Sequence, residues 1–208
     1  MTGLFITLEG IDGCGKTTLQ QLLAEKLRAL GYPVLTTREP GGSRAGRRIR
    51  ELLLDSAYGT VDGRSEALLY AADRALHAAD VIRPALARGE IVLCDRYIDS
   101  SLAYQGGGRG LALAELAQIN RFAVNGLTPD LTFLLDLPAE AALARLRGKR
   151  DRMEQEDIAF FQRTAAADHA LAAAEPGRFV YVDATQTVEQ ELAAMLAGLQ
   201  PFLARGEG

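Results

Sequence analysis

The residues from Gly10 to Thr17, GIDGCGKT, match the spacing G-x-x-x-x-G-K-[ST] of a phosphate-binding loop, or P-loop. Its three glycines let the backbone curl until successive N–H groups point at phosphate oxygens. Lys16 is then placed to reach the β- and γ-phosphates of a nucleotide, and the Thr17 hydroxyl is placed to ligate Mg²⁺. The pattern predicts a site for a nucleoside triphosphate and its metal ion.

The chain on either side of this loop has the pattern that a P-loop requires. An apolar run of strand character precedes it, and a helical pattern follows it and ends at Gly31. That helix carries a stripe of leucines at positions Leu19, Leu22, Leu23, Leu27 and Leu30. The candidate ATP-binding residues are the loop and the first helical threonines: Gly10, Ile11, Asp12, Gly13, Cys14, Gly15, Lys16, Thr17 and Thr18.

The elements that position this loop are predicted by apolar periodicity. Short apolar runs have strand character at Leu4 to Leu8, Val34 to Thr37, Ile91 to Cys94, Leu131 to Leu135 and Phe179 to Val182. Helical patterns cover the segments 19–30, 65–88, 112–126, 138–147, 158–174 and 188–203. Strands that alternate with helices predict an α/β fold, in which helices cover both faces of a parallel sheet.

The length of 208 residues, 48% of them hydrophobic, is typical of one soluble globular domain, which we expect to span 1–208. Gly106, Gly107, Gly108 and Gly110 predict one flexible functional loop. The first residues lack the features of a signal peptide, and no apolar stretch reaches the roughly 18 residues of a membrane span. We therefore expect a cytoplasmic protein without a membrane partner.

The charge of the chain is unevenly distributed. The net charge is −4, yet the segment 145–152, RLRGKRDR, contains five positive residues and one negative residue. A solvated helix face is one interpretation of such a run, and a local binding role is the other. The overall negative charge disfavours a nucleic-acid partner.

The cysteines and histidines have no spacing that predicts a metal site. Cys14 stands in the P-loop and Cys94 in a predicted buried strand, while His77 and His169 are isolated. We interpret all four as structural, and both cysteines as reduced.

Ligands bind at the carboxyl ends of the strands in open α/β sheets, so the residues that follow each apolar run are further candidates. The second run is followed by Arg38, and the third by Asp95 and Arg96. An aspartate after a buried strand is the expected partner of the P-loop threonine in holding Mg²⁺. Asp136 and Asp183 end the last two runs and are alternatives for that role.

Arg38 and Arg96 end two of the predicted strands beside the P-loop. Each alone is equally well explained as a surface cation paired with a neighbouring carboxylate. Together they indicate a second anionic substrate, because guanidinium groups match phosphate geometry. They therefore favour phosphoryl transfer between two bound molecules over simple hydrolysis, and they favour Asp95, beside Arg96, as the metal ligand.

Longer motifs extend over almost the whole chain. They are FITLEGIDGCGKTT, TREPGGS, ALLYAADRALH, DRYIDSSLAYQGGGRGL, PDLTFLLDLP, RGKRDRMEQ and VDATQ. In these motifs the sequence resembles the thymidylate kinase family, whose members transfer the γ-phosphoryl group of ATP to dTMP and form dTDP. The resemblance implies a nucleoside monophosphate kinase fold with a five-stranded parallel sheet, Mg²⁺ with the ATP, and a homodimer.

Carried over residue by residue, the resemblance assigns an acceptor site. Arg38 and Arg96 would hold the dTMP phosphate, Asp12 would accept a hydrogen bond from the 3′-hydroxyl, and Asp95 would organise Mg²⁺. The other dTMP-binding candidates are Tyr70 stacked on the base, Arg74 donating to O4, Ser101 and Gln105 at the base edge, Tyr104 against the ribose 2′ position, and Arg109 on the substrate side. The family usually has phenylalanine at the stacking position, and tyrosine keeps the aromatic face.

The resemblance also makes the basic segment, 145–155, a mobile lid that closes over ATP and brings an arginine to the phosphoryl group. Gly13 stands where some members carry an arginine, so the charge must come from the lid. Arg152 matches the family lid best, and Arg147 is the alternative. The candidate catalytic residues are Lys16, Asp95, Arg96, Arg147 and Arg152; Gln186, next to Thr185, is the candidate adenine contact.

Two other functions remain open. The same scaffold could phosphorylate a different deoxynucleotide or a deoxynucleoside. A P-loop protein could also be a nucleotide switch or binding module that hydrolyses slowly. The sequence lacks an Asn-Lys-x-Asp motif for guanine, and the two strand-end arginines would then have no role.

Overall fold

The computed structural model describes residues 3–146, 148 and 150–204. Its strands are β1 (Leu4–Glu9), β2 (Val34–Arg38), β3 (Ile91–Asp95), β4 (Leu131–Asp136) and β5 (Phe179–Asp183). They form one parallel five-stranded sheet in the order β2-β3-β1-β4-β5. Each predicted apolar run is a strand, and each strand extends one residue further to include the polar residue at its carboxyl end.

The register of the sheet brings these polar strand ends to one edge. Arg38 pairs with Asp95 between β2 and β3, and Asp95 pairs with Leu8 between β3 and β1. The P-loop leaves the sheet at the same edge, directly after Glu9. The strand-end candidates and the P-loop are therefore neighbours, as expected for an open α/β sheet.

Helices cover both faces of the sheet. They are α1 (Lys16–Ala29), α2 (Gly46–Leu54), α3 (Gly63–His77), α4 (Arg83–Ala87), α5 (Ile98–Ser101), α6 (Leu113–Val124), α7 (Ala139–Arg145), α8 (Ile158–Ala174) and α9 (Val188–Ala204). The predicted α/β fold class is confirmed, and α8 has the predicted bounds. None of the helices in the described part of the chain is long and apolar enough to cross a membrane.

The helix predicted for 65–88 is helical from residue 63 to residue 87 but changes its hydrogen-bond pattern in the middle. A π-helical turn at Ala78–Ile82 separates α3 from α4, and Pro84 lies in the first turn of α4, where a missing N–H costs little. Helix α2 is not among the predicted helices, because its arginines obscure a short apolar stretch.

The predicted leucine stripe of α1 is only partly correct. Leu19, Leu23 and Leu27 are buried, whereas Leu30 is 66% exposed. Leu30 follows the last helical residue, in the turn that leads to β2. The end of a periodic pattern therefore does not mark the end of the buried face.

The glycine-rich stretch is not the flexible loop that the sequence predicted. Residues Leu102–Gly108 form a π-helical segment that continues α5 and packs against α8. Gly106 and Gly108 are buried there. A Cβ atom on Gly107 would lie 2.5 Å from Cβ of Ala167 and 3.0 Å from the carbonyl oxygen of Arg163. These glycines permit close helix packing instead of providing flexibility.

The core of the described residues has two main clusters because side chains alternate along each strand, and a small third cluster surrounds Leu134 of β4. Ile6 and Leu8 of β1 face the larger cluster, which includes α1, α8 and α9. Phe5 faces the smaller cluster on the other side of the sheet, where its ring meets that of Tyr97 edge to face at 4.9 Å. Both faces of β1 are thus buried, as its apolar sequence requires.

We predict that Gly107→Ala lowers the free energy of unfolding by about 1–3 kcal/mol, because the added methyl group overlaps α8. Gly177→Ala is the matched control, since a Cβ atom there meets nothing within 4 Å, and it should change stability by less than about 0.5 kcal/mol. Urea unfolding followed by circular dichroism measures both. Equal stability of the two variants would contradict the close packing.

Candidate active site

The P-loop joins β1 to α1 in a conformation that suits phosphate binding. Gly13 has a φ of 87°, and a Cβ atom on it would lie 2.3 Å from the carbonyl oxygen of Ala142. That position has no room for a charged side chain, because α7 lies against it. Lys16 Nζ donates to two loop carbonyl oxygens, at 2.8 and 2.9 Å, so its charge lies over the loop.

The structure separates the three aspartates that were candidates for the metal. Thr17 Oγ1 donates to Asp95 Oδ2 over 2.7 Å, which joins the first turn of α1 to the end of β3. Asp136 is paired with His169 at 2.8 Å, and Asp183 accepts hydrogen bonds from the turn that follows β5. Of the three, Asp95 is therefore the one that contacts the P-loop threonine.

The candidate adenine contact lies in the turn after β5. Gln186 Nε2 and Thr185 Oγ1 both donate to Asp183, at 2.8 and 2.6 Å. Arg145 Nη2 reaches the same turn by donating to the carbonyl oxygen of Ala184 over 3.0 Å. Arg145 lines the cavity beside the P-loop, whereas Gln186 does not. The role of Gln186 as an adenine contact stays a prediction.

Arg96 is the centre of the site. Its backbone is left-handed, with a φ of 71°. Its Nη2 lies 2.6 Å from Asp12 Oδ1 and donates to the Tyr104 hydroxyl over 2.9 Å, and Nη1 donates to Gly10 and Ser100, both at 3.1 Å. Burial opposes ionisation of Asp12, but Arg96 and Lys16 outweigh it and lower the pKa of that carboxyl. Asp12 is therefore ionised and accepts hydrogen bonds only.

Beneath Arg96 lies a carboxyl group that the sequence analysis did not consider. Glu9 is fully buried, and it accepts hydrogen bonds from the Tyr97 N–H at 2.8 Å and the Ser100 hydroxyl at 2.5 Å. Burial and the nearby Asp99 raise its pKa to about 8, against the opposing effect of Ser100. Glu9 thus holds the turn that carries Arg96.

One cavity of about 380 Å³ contains both halves of the predicted site. Its lining comes from the P-loop, the strand ends, α2, α3 and the helical segment 102–108. The predicted residues that line it are Asp12, Gly13, Gly15, Lys16, Thr17, Thr18, Arg38, Tyr70, Arg74, Asp95, Arg96, Ser101, Tyr104 and Gln105. The structure therefore brings the predicted ATP and dTMP residues together.

Arg74 is buried, with only 1% of its surface exposed. It donates through Nε to Glu39 at 2.7 Å, through Nη1 to Ser101 at 2.9 Å and to Asn120, and through Nη2 to the Tyr97 carbonyl oxygen at 2.9 Å. Burial opposes its charge, but Glu39 outweighs burial and raises the pKa of Arg74. The guanidinium is thus a fixed cation at the wall of the cavity.

The cysteines and one histidine lie in the interior. Cys14 and Cys94 are buried, free thiols. His77 is fully buried between Glu39, 2.9 Å from Nδ1, and Thr37, 2.7 Å from Nε2. These contacts support the structural interpretation of all three residues.

The basic segment reaches the site in a different way from the one predicted. Arg152 does not line the cavity; its Nε donates to the Leu53 carbonyl oxygen over 2.7 Å, and its Nη2 lies 2.6 Å from Glu66. That Nη2 atom is paired by charge alone, since it has no aligned hydrogen-bond partner among the described residues. Arg147 lies outside the described residues. The catalytic role of either arginine stays a prediction.

The comparison with known proteins decides the family. The family model for thymidylate kinase matches residues 8–194. The chain belongs to the thymidylate kinase family.

Individual relatives agree with this assignment. A thymidylate kinase from Pseudomonas fluorescens (strain Pf-5) is 51% identical over 210 residues and covers 100% of both chains. A thymidylate kinase from Desulforudis audaxviator is 51% identical, over 98% of this chain and 93% of its own length. A crystal structure of thymidylate kinase from Ehrlichia chaffeensis superposes with a TM-score of 0.81 at 32% identity, covering 96% of this chain and 100% of that chain.

Within this thymidylate kinase scaffold, sequence reasoning missed three charged residues around the cavity. Arg50 lines it from α2 and donates to the Pro40 carbonyl oxygen over 3.0 Å. Glu39 lines it beneath Arg74, and Glu66 lies behind it. Arg50 was missed because α2 was missed. Glu39 stands in the polar TREPGGS turn and Glu66 in the first turn of α3, and each was only one acidic residue with no pattern around it.

The raised pKa of Glu9 predicts that stability falls as the pH rises. The folded state keeps a proton to about pH 8 that the unfolded state loses near 4.5. The stability that this proton contributes is therefore fully present below pH 4.5 and is lost as the pH rises through about 8. We expect the melting temperature of Glu9→Gln, which has no such proton to lose, to decline less between about pH 6 and pH 9 than that of the parent chain.

Circular dichroism melting across this pH range measures the difference. Asp73 and Asp168, whose pKa values are also raised, to about 6 and about 7, contribute to both proteins and leave a residual slope. Parallel curves for the two proteins would show that Glu9 does not titrate there.

Proposed function

We propose that this chain transfers the γ-phosphoryl group of ATP to dTMP and forms dTDP. The observation that carries the proposal is that one cavity is lined both by the P-loop residues Lys16 and Thr17 and by Tyr70 and Gln105. A donor phosphate and a pyrimidine base can therefore bind side by side in one cavity. The family membership of the chain supports the same reaction.

The donor end would bind the phosphates of ATP. The N–H groups of the P-loop and the N-terminus of α1 favour an anion. Lys16 would turn from the loop carbonyl oxygens to the β- and γ-phosphates. The assigned ATP-binding residues are Gly10, Ile11, Asp12, Gly13, Cys14, Gly15, Lys16, Thr17, Thr18 and Gln186.

Thr17 and Asp95 fit a magnesium ion. Their hydroxyl and carboxylate oxygens lie 2.7 Å apart beside the P-loop, and oxygen ligands are those that Mg²⁺ prefers, together with water and substrate phosphate. When bound, Mg²⁺ would neutralise charge on the transferring phosphate. Asp95 would fix the position of Thr17 and of the water molecules bound to Mg²⁺.

The acceptor end would bind dTMP. Arg38 and Arg96 supply the phosphate-binding cations at the ends of β2 and β3, and ionised Asp12 can accept from the 3′-hydroxyl. Tyr104 is fixed between Asp12 and Arg96 and would crowd a ribose 2′-hydroxyl. The remaining acceptor contacts are stacking on Tyr70 and polar contacts from Arg74, Ser101 and Gln105.

The proposal includes one kinase domain in which the segment 145–155 acts as a lid. Met153, Asp151 and Arg145 of this segment line the cavity. Arg152 would have to leave Glu66 to meet the phosphoryl group, because the two are 2.6 Å apart. Closure would therefore exchange an internal ion pair for one with substrate.

The proposal also includes a cytoplasmic homodimer without a membrane or nucleic-acid partner. Two buried, unpaired cysteines are typical of a reducing compartment. Leu68 on α3 and Phe122 on α6 are 57% and 90% exposed, and an exposed apolar surface is typical of an interface. Sedimentation equilibrium measures the assembly.

We predict that dTMP is the preferred acceptor when ATP and Mg²⁺ are supplied with dTMP, dUMP, dCMP, dAMP, dGMP or thymidine. The product is measured as ADP and as the nucleoside diphosphate. Preference for another acceptor would replace the proposed substrate, and ATP hydrolysis without any acceptor product would indicate a switch. Lys16→Ala is the control: it should abolish turnover and keep the circular dichroism spectrum of the parent.

We predict that Arg152→Ala lowers kcat by about 10³ and changes the Kd for dTMP, measured by calorimetry, far less. The reason is that the charge met by a lid arginine develops in the transition state. Arg48→Ala is the control, because Arg48 is exposed and outside the cavity. Equal losses in kcat and dTMP affinity would restrict Arg152 to docking the lid segment.

A further inference from the structure

Glu66 is a fully buried carboxylate on α3, one turn before Tyr70. It accepts from Gln105 Nε2 at 2.9 Å, and from Arg109 Nε and Nη2 at 3.2 and 3.1 Å. The Arg152 guanidinium adds a third cationic contact at 2.6 Å. One buried carboxylate thus touches a residue of the acceptor cavity and two arginines outside it.

The surroundings of Glu66 keep it ionised. Burial opposes the charge, but the hydrogen bonds from Arg109 and Gln105 outweigh burial and lower the pKa of Glu66. A carboxylate is an acceptor only, so the Gln105 group that faces it must be the NH₂ and not the carbonyl. The orientation of the amide therefore follows from the charge of Glu66.

With its NH₂ fixed in this way, Gln105 presents its carbonyl oxygen away from Glu66. Oε1 receives no hydrogen bond from any described residue, and Gln105 lines the cavity. Gln105 lies within the packed helical segment Leu102–Gly108, so its backbone is also held. Gln105 Oε1 is therefore a hydrogen-bond acceptor in a fixed position at the cavity.

Arg74 supplies the complementary donor. Its guanidinium has five N–H groups, and the described residues accept four of them. The one left over is on Nη2, and Arg74 lines the same cavity as Gln105. A donor and an acceptor in one cavity match O4 and N3–H of thymine or uracil. Cytosine reverses both, since it has an amino group at C4 and an unprotonated N3.

We propose that Glu66 is a specificity-determining residue for pyrimidines, because it fixes the Gln105 amide so that the cavity, together with the Arg74 donor, accepts a base with N3–H and rejects cytosine. The inference rests on the proposed function. Glu66 is a positioning residue, because it acts through Gln105 and does not line the cavity. Its arginine partners keep the carboxylate charged and are not themselves the source of specificity.

Glu66→Gln tests the proposal. A neutral amide at position 66 can donate to or accept from Gln105, so the Gln105 side-chain amide becomes free to rotate by 180°. The ratio of kcat/KM for dTMP to that for dCMP should fall by about tenfold or more. The ratio for dTMP to dUMP should stay constant, since both bases carry N3–H. In a Gln105→Leu background, Glu66→Gln should leave the dTMP to dCMP ratio unchanged.

Two variants separate this role from lid docking. Glu156→Gln removes the other ion pair of Arg109, at 2.6 Å, without touching Gln105, and should leave the dTMP to dCMP ratio at the parent value. Glu66→Asp keeps the charge and should keep most of the selectivity, even if turnover falls. If Glu66→Gln lowered only kcat and left the dTMP to dCMP ratio at the parent value, Glu66 would only anchor the segment, and the proposal would be wrong.

A measurement without turnover completes the test. Side-chain amide protons of Gln105, assigned by their loss in Gln105→Leu, should exchange slowly with solvent in the parent chain. Fast exchange there would overturn the proposal even if Glu66→Gln failed to fold. A parent chain that phosphorylated none of the pyrimidine nucleotides would refute the proposed function, and the exchange rate would still decide whether Glu66 holds the amide.

Discussion

The hydrogen bonds of the half-buried Arg96 guanidinium are the interactions on which the site depends. They join the P-loop, through Gly10 and Asp12, to the end of β3 and to the helical segment that carries Tyr104. The left-handed backbone of Arg96 is held from below, where Glu9 binds the next N–H. A single fixed cation therefore sets the distance between the donor end and the acceptor end of the cavity.

The acceptor end is built from buried charges in place of apolar packing. Arg74 and Glu39 form one such pair, and Glu66 with its two arginines forms another. Buried ion pairs add little net stability to the folded state, because each ion loses its hydration. Their contribution here is positional: a charged partner dictates which end of a neighbouring polar group faces it, and a neutral partner does not.

Much of the fold follows from local patterns. Each strand was predicted because a parallel strand buried on both faces is a continuous apolar run, and the strand-end residues Arg38 and Asp95 followed from the sheet rule. The helical segment 102–108 did not, since glycine permits close packing as readily as flexibility. Glu66 and Glu9 could not be predicted, because their roles arise from partners about 40 to 90 residues away in the chain.

The close contact between the segment 102–108 and α8 limits how this scaffold can change its substrate. A surface loop tolerates insertions, and a new length can reshape a pocket. A helical segment seated directly on a neighbouring helix has no such freedom, so extra residues would break the contact before they altered recognition. Selectivity in this chain would therefore evolve by exchange of individual side chains, one polar pair at a time, on an unchanged backbone.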